Sequence, residues 1–165
     1  MQRRSPRKRR ETSLIAMEEQ RPENQEVMVK IRKIGTPVNA PGMHNVVVLG
    51  DEYQRELFIA IGPCEAMAIL RRLEGTEIPN VSQSYAHDLL MSICERLGAK
   101  VEKVVIDDLW NGTYFAKLHL SIDGEILSID ARPSDAIALA LRAEAPLYVC
   151  ESVIVAAAQS QEEGQ

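Results

Sequence analysis

Residues 100–143 read KVEKVVIDDLWNGTYFAKLHLSIDGEILSIDARPSDAIALALRA, and this stretch decides the fold. Lys100 to Leu109 has the make-up of a strand, Asn111-Gly112 marks a tight turn, and Thr113 to Ser121 returns with Tyr114, Ala116, Leu118 and Leu120 on one face. Side chains alternate along a strand, and Asn-Gly tolerates the left-handed backbone that a two-residue hairpin turn requires. Asp123-Gly124 repeats the signal and leads into Glu125 to Asp130. Three strands joined by two short turns form an antiparallel meander. The period then changes to that of a helix, capped by Ser134 or Asp135 and running to about Ala143.

Toward the N-terminus, Val27, Val29 and Ile31 alternate with Met28, Lys30 and Arg32, and two more strand-like runs follow at His44 to Leu49 and Glu56 to Ile61. Gly50-Asp51-Glu52 fits a hairpin connection between them. Gly62-Pro63 opens a helix with Ala66, Ile69, Leu70 and Leu73 at helical spacing, and Gly75 ends it. A second helix is expected from about Ser84 to Leu97, with Leu89, Leu90, Ile93 and Leu97 on one face and Gly98 just beyond. Toward the C-terminus, Pro146 precedes a short strand, Leu147 to Cys150, and a helix from Ser152 to Ala158. Runs of strands without regular βαβ alternation define the class as α+β: a mostly antiparallel sheet with three to four helices packed on it. Residues 1–26 and 159–165 are too poor in apolar side chains to offset the entropy of ordering and read as disordered tails around a domain at 27–158.

A chain of 165 residues, 45% hydrophobic, fills one core. The net charge of -5 conceals an asymmetry, because the first ten residues hold six Lys or Arg and no acid, leaving -11 for residues 11–165. Phosphate contacts from Lys and Arg dominate nucleic-acid affinity, so the folded part is not charged like a tight nucleic-acid binder, although metal ions could screen phosphates at a local site. With aromatics at only 4%, there is little material for base-stacking platforms. Cys64, Cys94 and Cys150 are odd in number and lack metal-ligand spacing, no run reaches the roughly 18 apolar residues of a membrane span, and a cytoplasmic location is expected.

The turn Asp130-Ala131-Arg132-Pro133-Ser134-Asp135 holds two carboxylates and a guanidinium at a strand-to-helix junction. One reading has Arg132 grip a phosphate beside the helix N-terminus while Asp130 or Asp135 binds a divalent metal or moves a proton. The other has Ser134 or Asp135 cap the helix and Arg132 pair with a neighbouring acid. Asp107 and Asp108 end a nearby strand, and one of them with Asp130 offers oxygen ligands for Mg²⁺ or Mn²⁺; strict alternation lets only one join a given face. His87, at the start of the second helix, is free to act as acid, base or ligand, with Asp88 suited to the helix dipole. His44 and His119 have less support, and Glu65 is most simply a dipole partner. No phosphate-binding Gly-rich loop, GxSxG or HExxH pattern is present.

Lys100 to Val149, with IAIGPCEAMAI (59–69), AHDLLMSICERLGAKVE (86–102) and above all IDARPSDAIALALR (129–142), resembles the bifunctional nuclease family. The resemblance implies an α+β fold that self-associates as a homo-oligomer and a nuclease acting on RNA and DNA. His87, Asp88, Asp107, Asp108, Asp130, Arg132, Ser134 and Asp135 fall in the shared segments. The function expected on this basis is phosphodiester hydrolysis with divalent-metal help. Asp107 or Asp108 with Asp130 would hold the ion, Arg132 would stabilise phosphate charge, and His87 or Asp135 would handle protons. The alternative is a non-catalytic regulatory module whose Asp/Arg turn docks a protein or an anionic ligand.

Overall fold

The computed structural model describes residues 25–36, 45–75 and 86–162. In chain order these form β1 (Glu26–Gly35), β2 (Asn45–Gly50), β3 (Glu56–Ile61), α1 (Pro63–Leu73), α2 (Ala86–Arg96), β4 (Lys100–Trp110), β5 (Thr113–Ile122), β6 (Glu125–Ala131), α3 (Pro133–Ala143), β7 (Leu147–Cys150) and α4 (Glu151–Glu162). The basic N-terminal tail and His44 lie outside the described residues.

The expected meander is present. Asn111 and Gly112 both have positive φ, as do Asp123 and Gly124, the backbone that two-residue hairpin turns demand. β4 pairs with β5 and β5 with β6, antiparallel throughout. The remaining order, β3-β2-β1-β7-β4-β5-β6, makes a seven-stranded mixed sheet with one parallel pair, β4 with β7. Short β7, four residues long, joins the two antiparallel halves by pairing with β1 on one side and β4 on the other.

α3 occupies the middle of the core. Ala136, Ile137, Ala138 and Ala140 have no exposed surface, because the helix packs between the sheet and both α1 and α2. A helix apolar all round has to be enclosed, and small alanines let its neighbours approach closely. Across from it stand Val104, Ile106, Ala116, Leu118 and Leu120, the alternate residues that the register puts on one face of β4 and β5. Truncating Ile137 to Ala would cost about 2–5 kcal/mol through lost transfer energy and a cavity that rigid neighbours cannot close.

Three differences from the sequence expectation have physical causes. α3 begins at Pro133 with Arg132 as N-cap and no capping side chain, so neither Ser134 nor Asp135 caps it. A proline at the first helical position fixes the start and forces the preceding residue into extended backbone, here φ -69° and ψ 142°. α4 runs from Glu151 to Glu162, longer at both ends than the expected helix. Its start is held by Glu151, whose two carboxylate oxygens accept from Arg55 at 2.6 and 3.0 Å, while Arg55 Nε donates to buried Asp51 at 2.6 Å. Asp51 also accepts from the backbone N–H groups of Tyr53 and Arg55, both at 2.9 Å, so one carboxylate shapes the β2–β3 turn and ties it to α4. Third, no residue of α2 is buried. Leu89, Leu90, Ile93 and Leu97, at the spacing of a core-facing stripe, are 60, 45, 43 and 71% exposed. The helix instead turns His87, Asp88, Met91 and Cys94 inward, where Arg142 Nε donates to Asp88 at 2.6 Å and the same guanidinium reaches the carbonyls of Ala68 and Ala138.

Candidate functional site at the start of the third helix

The sequence-predicted side chains divide into two groups. The first gathers where α1, α2 and α3 meet. Arg132 donates from Nε to Asp135 Oδ2 at 2.7 Å and from a terminal nitrogen to Oδ1 at 3.1 Å, a forked contact that fixes both groups in one plane. Its other terminal nitrogen lies 3.3 Å from Glu65 Oε1 on α1. Glu65 folds back over Gly62, where a Cβ would push the end of its flexible side chain aside. From α2, His87 Nε2 sits 3.0 Å from Asp135 Oδ1.

Burial pushes the Asp135 carboxyl up, but its hydrogen bonds to Arg132 and then His87 outweigh that and hold it below the usual carboxylate range. An ionised carboxylate only accepts, so His87 Nε2 is the donor in this contact. Nδ1 is buried without a hydrogen-bond partner among the described residues. With one nitrogen committed and the other enclosed, His87 orients Asp135, which in turn orients Arg132. Arg132 remains 68% exposed at its side chain.

Beside this cluster lies an open groove of about 390 Å³, bounded by β3, the β4–β5 turn and the first residues of α1 and α3. Glu65, Arg132 and Ser134 line it. Both helices start with a proline at the first helical position, and the N–H groups of a first helical turn have no intrahelical acceptor. A phosphate or carboxylate suits such a place, where a partial positive charge and free donors combine.

The second group lies on the sheet face turned away from α3. Lys117 stands opposite Asp130 in the register and donates to its Oδ1 at 2.6 Å, with Asp107 Oδ2 at 3.6 Å. A register shift between Ile106 and Asp108 breaks the strict alternation of β4: Asp107 reaches Lys117, and Asp108 stands opposite Phe115, two residues from Lys117 on the same side of β5. Asp108 Oδ1 accepts from the N–H of Leu109 at 2.8 Å. As placed, these three carboxylates do not fit Mg²⁺ or Mn²⁺, because an ammonium already lies between Asp107 and Asp130 and Asp108 is bound to backbone. Among the described residues no group of three or more His, Cys, Asp or Glu side chains is arranged to hold a metal ion.

The bifunctional nuclease domain profile matches residues 47–162, which includes every residue of both groups. The chain belongs to that family. A protein of Mycobacterium tuberculosis named "Uncharacterized protein MT1877" is 37% identical over 134 residues, covering 79% of this chain and 76% of the relative. "Bifunctional nuclease 1" of Oryza sativa subsp. indica is 31% identical over 111 residues, 64% of this chain and 33% of the plant protein. "Bifunctional nuclease 2" of Arabidopsis thaliana is 28% identical over 109 residues with the same coverage. The match thus spans about a third of these plant proteins.

In this bifunctional nuclease domain the structure therefore unites His87, Arg132 and Asp135 and places Asp107, Asp108 and Asp130 with Lys117 instead. Glu65 was legible only as a dipole partner, since its contact with Arg132 joins residues far apart in the chain. Lys117 carried no signal beyond its place on the polar side of a strand. His119 lies on that same side, where burial and then the nearby Lys103 charge lower its pKa. No helix among the described residues is long and apolar enough to cross a membrane.

Proposed function

We propose that this domain is a nuclease that hydrolyses phosphodiester bonds of RNA, DNA or both, with Arg132 as the group that receives the scissile phosphate. The observation that carries the reading is an exposed guanidinium, braced by Asp135 and Glu65, at the rim of a groove bounded by two helix starts. A guanidinium fixed before substrate arrives stabilises developing phosphate charge without reorganising. Asp135 positions it, and His87 positions Asp135. Family membership and the names of the plant relatives support the reaction class.

Divalent-metal assistance belongs to the proposal as a counter-ion of the substrate phosphates, for which an acidic domain has need, and no ligand on this chain is assigned to it. A cytoplasmic setting is proposed with it, consistent with three free cysteines. Self-association is proposed through the outward stripe of α2, whose four exposed aliphatic side chains a second copy would cover.

The test is cleavage of single-stranded RNA and DNA by purified full-length protein, with Mg²⁺, with Mn²⁺ and with a chelator. Arg132→Ala should abolish most of the activity in a protein that still melts cooperatively. Unchanged cleavage in that variant would overturn the site. The regulatory alternative predicts no cleavage with either ion and a rise in melting temperature with a bound anion.

A further inference from the structure

β1 is a central strand, paired with β2 on one side and β7 on the other. Its face turned away from α3 carries Lys30, Arg32 and Lys33, all exposed. Strict alternation would send Lys33 inward with Ile31. A register shift between Ile31 and Lys33 prevents this: Ile31 and Ile34 stand opposite Leu49 and Val47 of the core, and Lys30 and Lys33 stand opposite Gly50 and Val48 on the outer face. Arg32, the extra residue, lies across Gly50, where a Cβ would meet its stem, and donates from Nη2 to the Asp51 carbonyl at 2.9 Å. Three cations thus share one side of one strand.

These charges are not answered within the domain. Arg55, Arg72, Lys103, Lys117, Arg132 and Arg142 each have a carboxylate partner, whereas no ion pair among the described residues involves Lys30, Arg32 or Lys33. Arg96 and Lys100 are also unpaired there, but they belong to the junction of α2 and β4. Lysines often guard a sheet edge against pairing, yet β1 has a strand on both sides, so edge protection does not account for them. In a chain with an excess of acid, like charges gathered without counter-charge suit an anionic partner.

The rows that cross the sheet give such a partner its direction. The row through Lys30 and Gly50 ends on β3 at Glu56, and the row through Lys33 and Val48 ends at Phe58, 44% exposed. Phe58 also begins the stretch of β3 that bounds the groove beside Arg132, with Tyr114 among the other lining residues. Two strand spacings, about 10 Å, separate Lys33 from Phe58. A polyanion held at β1 therefore leaves by the Lys33 row, away from Glu56, and reaches the groove over the edge of β3. A duplex, stiff over about 150 base pairs, does not turn round such an edge, whereas a single strand does.

We infer that the outer face of β1 is a binding track for the phosphate backbone of single-stranded nucleic acid, with Lys30, Arg32 and Lys33 as phosphate contacts and Phe58 at the crossing to the groove. This deepens the phosphodiesterase reading and rests on it for the nature of the anion. Arg132 meets the phosphate that reacts, and β1 holds phosphates farther along the strand. Contacts to remote parts of a substrate, equal in ground and transition states, lower KM and leave kcat unchanged.

Anisotropy of a labelled phosphorothioate oligothymidylate is followed against salt for the full-length protein, with a blunt duplex of equal length as comparison. The basic N-terminal residues are common to every variant and cancel. Each phosphate contact on a single strand contributes about 0.7 to the slope of log K against log salt, so Lys30→Gln/Arg32→Gln/Lys33→Gln should lower the slope by about 2 and weaken binding at least about tenfold at about 0.1 M salt. Glu56→Gln should tighten binding, and Lys100→Gln should leave it unchanged. The triple variant alters exposed side chains only and should melt with the parent. On a long single strand it should raise KM at unchanged kcat, while a dinucleotide, too short to reach β1 from Arg132, should be cut as by the parent. Unchanged slope and affinity in the triple variant, tighter binding of the duplex, or no binding by the parent would overturn the inference. Loss of binding in the triple variant of a protein that cuts nothing would keep the track and remove the phosphodiesterase. Cutting with unchanged KM in the triple variant would do the reverse.

Discussion

The clusters around Lys117 and Arg132 have the same formula, one cation between two carboxylates, and different surroundings. Lys117 lies over the face of a strand pair, and its partner Asp130 is 88% exposed at the side chain, so each charge has water as an alternative. Arg132 stands at a helix start, forked onto Asp135, which is itself held by His87 from another helix. The contrast teaches that charge pattern alone does not make a site. What distinguishes Arg132 is its rigid bracing together with the backbone donors and concavity beside it.

The largest effect that would break this comparison is on cleavage. Arg132→Ala should lower it by roughly a hundredfold or more, the usual cost of removing a preorganised charge-stabilising donor, whereas Lys117→Ala should leave it unchanged. A reversed result in a kinetic assay on folded variants would move the reacting centre to the sheet face. Arg132→Lys tests the fork itself: charge is retained but planar two-point bonding is not, and a drop of about tenfold is expected. Lys117→Arg should change nothing in the same assay.

pH separates the two clusters by sign. Asp135 has a folded-state pKa below its unfolded value, because the hydrogen bonds from Arg132 and His87 overcome the upward push of burial. Its contribution to stability is therefore present above the unfolded carboxylate pKa, about 4, and is lost as pH falls through the folded value. Lys117 is raised, chiefly by its hydrogen bond to Asp130 and then by the charge of Asp107. Its contribution is complete below the unfolded lysine pKa, about 10.4, and is lost as pH rises through the folded value. Melting curves against pH should show Asp135→Asn flattening only the acid limb and Lys117→Met only the alkaline one. Buried Asp51, also lowered through Arg55 against its desolvation, adds to the acid limb in both variants.

The smallest effect is on stability at neutral pH, where Lys117→Ala should shift the unfolding midpoint only slightly, as loss of an exposed ion pair does. Denaturant midpoints check this. A loss several times larger would mean that the sheet-face cluster is a structural latch.

Local chemistry made much of the fold legible. Asn111-Gly112 and Asp123-Gly124 announce the meander because few other pairs adopt their backbone, and Pro63 and Gly75 bracket α1 by the same logic. The apolar spacing of Leu89, Leu90, Ile93 and Leu97 identified α2, but amphipathicity has no sign, and only packing shows that this stripe faces outward. Strand alternation likewise separated Asp107 from Asp108 until a register shift, set by the partner strand, brought both toward one side. The candidate site was legible in its residue types near Arg132. Its boundary was not: Glu65, Phe58 and Tyr114 reach the groove from segments that nothing local connects to residues 130–135.

The sequence by itself determined the elements, the meander and the family, because turn geometry, period and motif depend on residues close together in the chain. Tertiary structure alone decided which carboxylate serves which cation: Asp135 braces Arg132 at a groove, and Asp130 pairs with Lys117 on an open face. That choice depends on distances between segments that pair across the sheet or pack helix to helix. Spacing along the chain does not encode them.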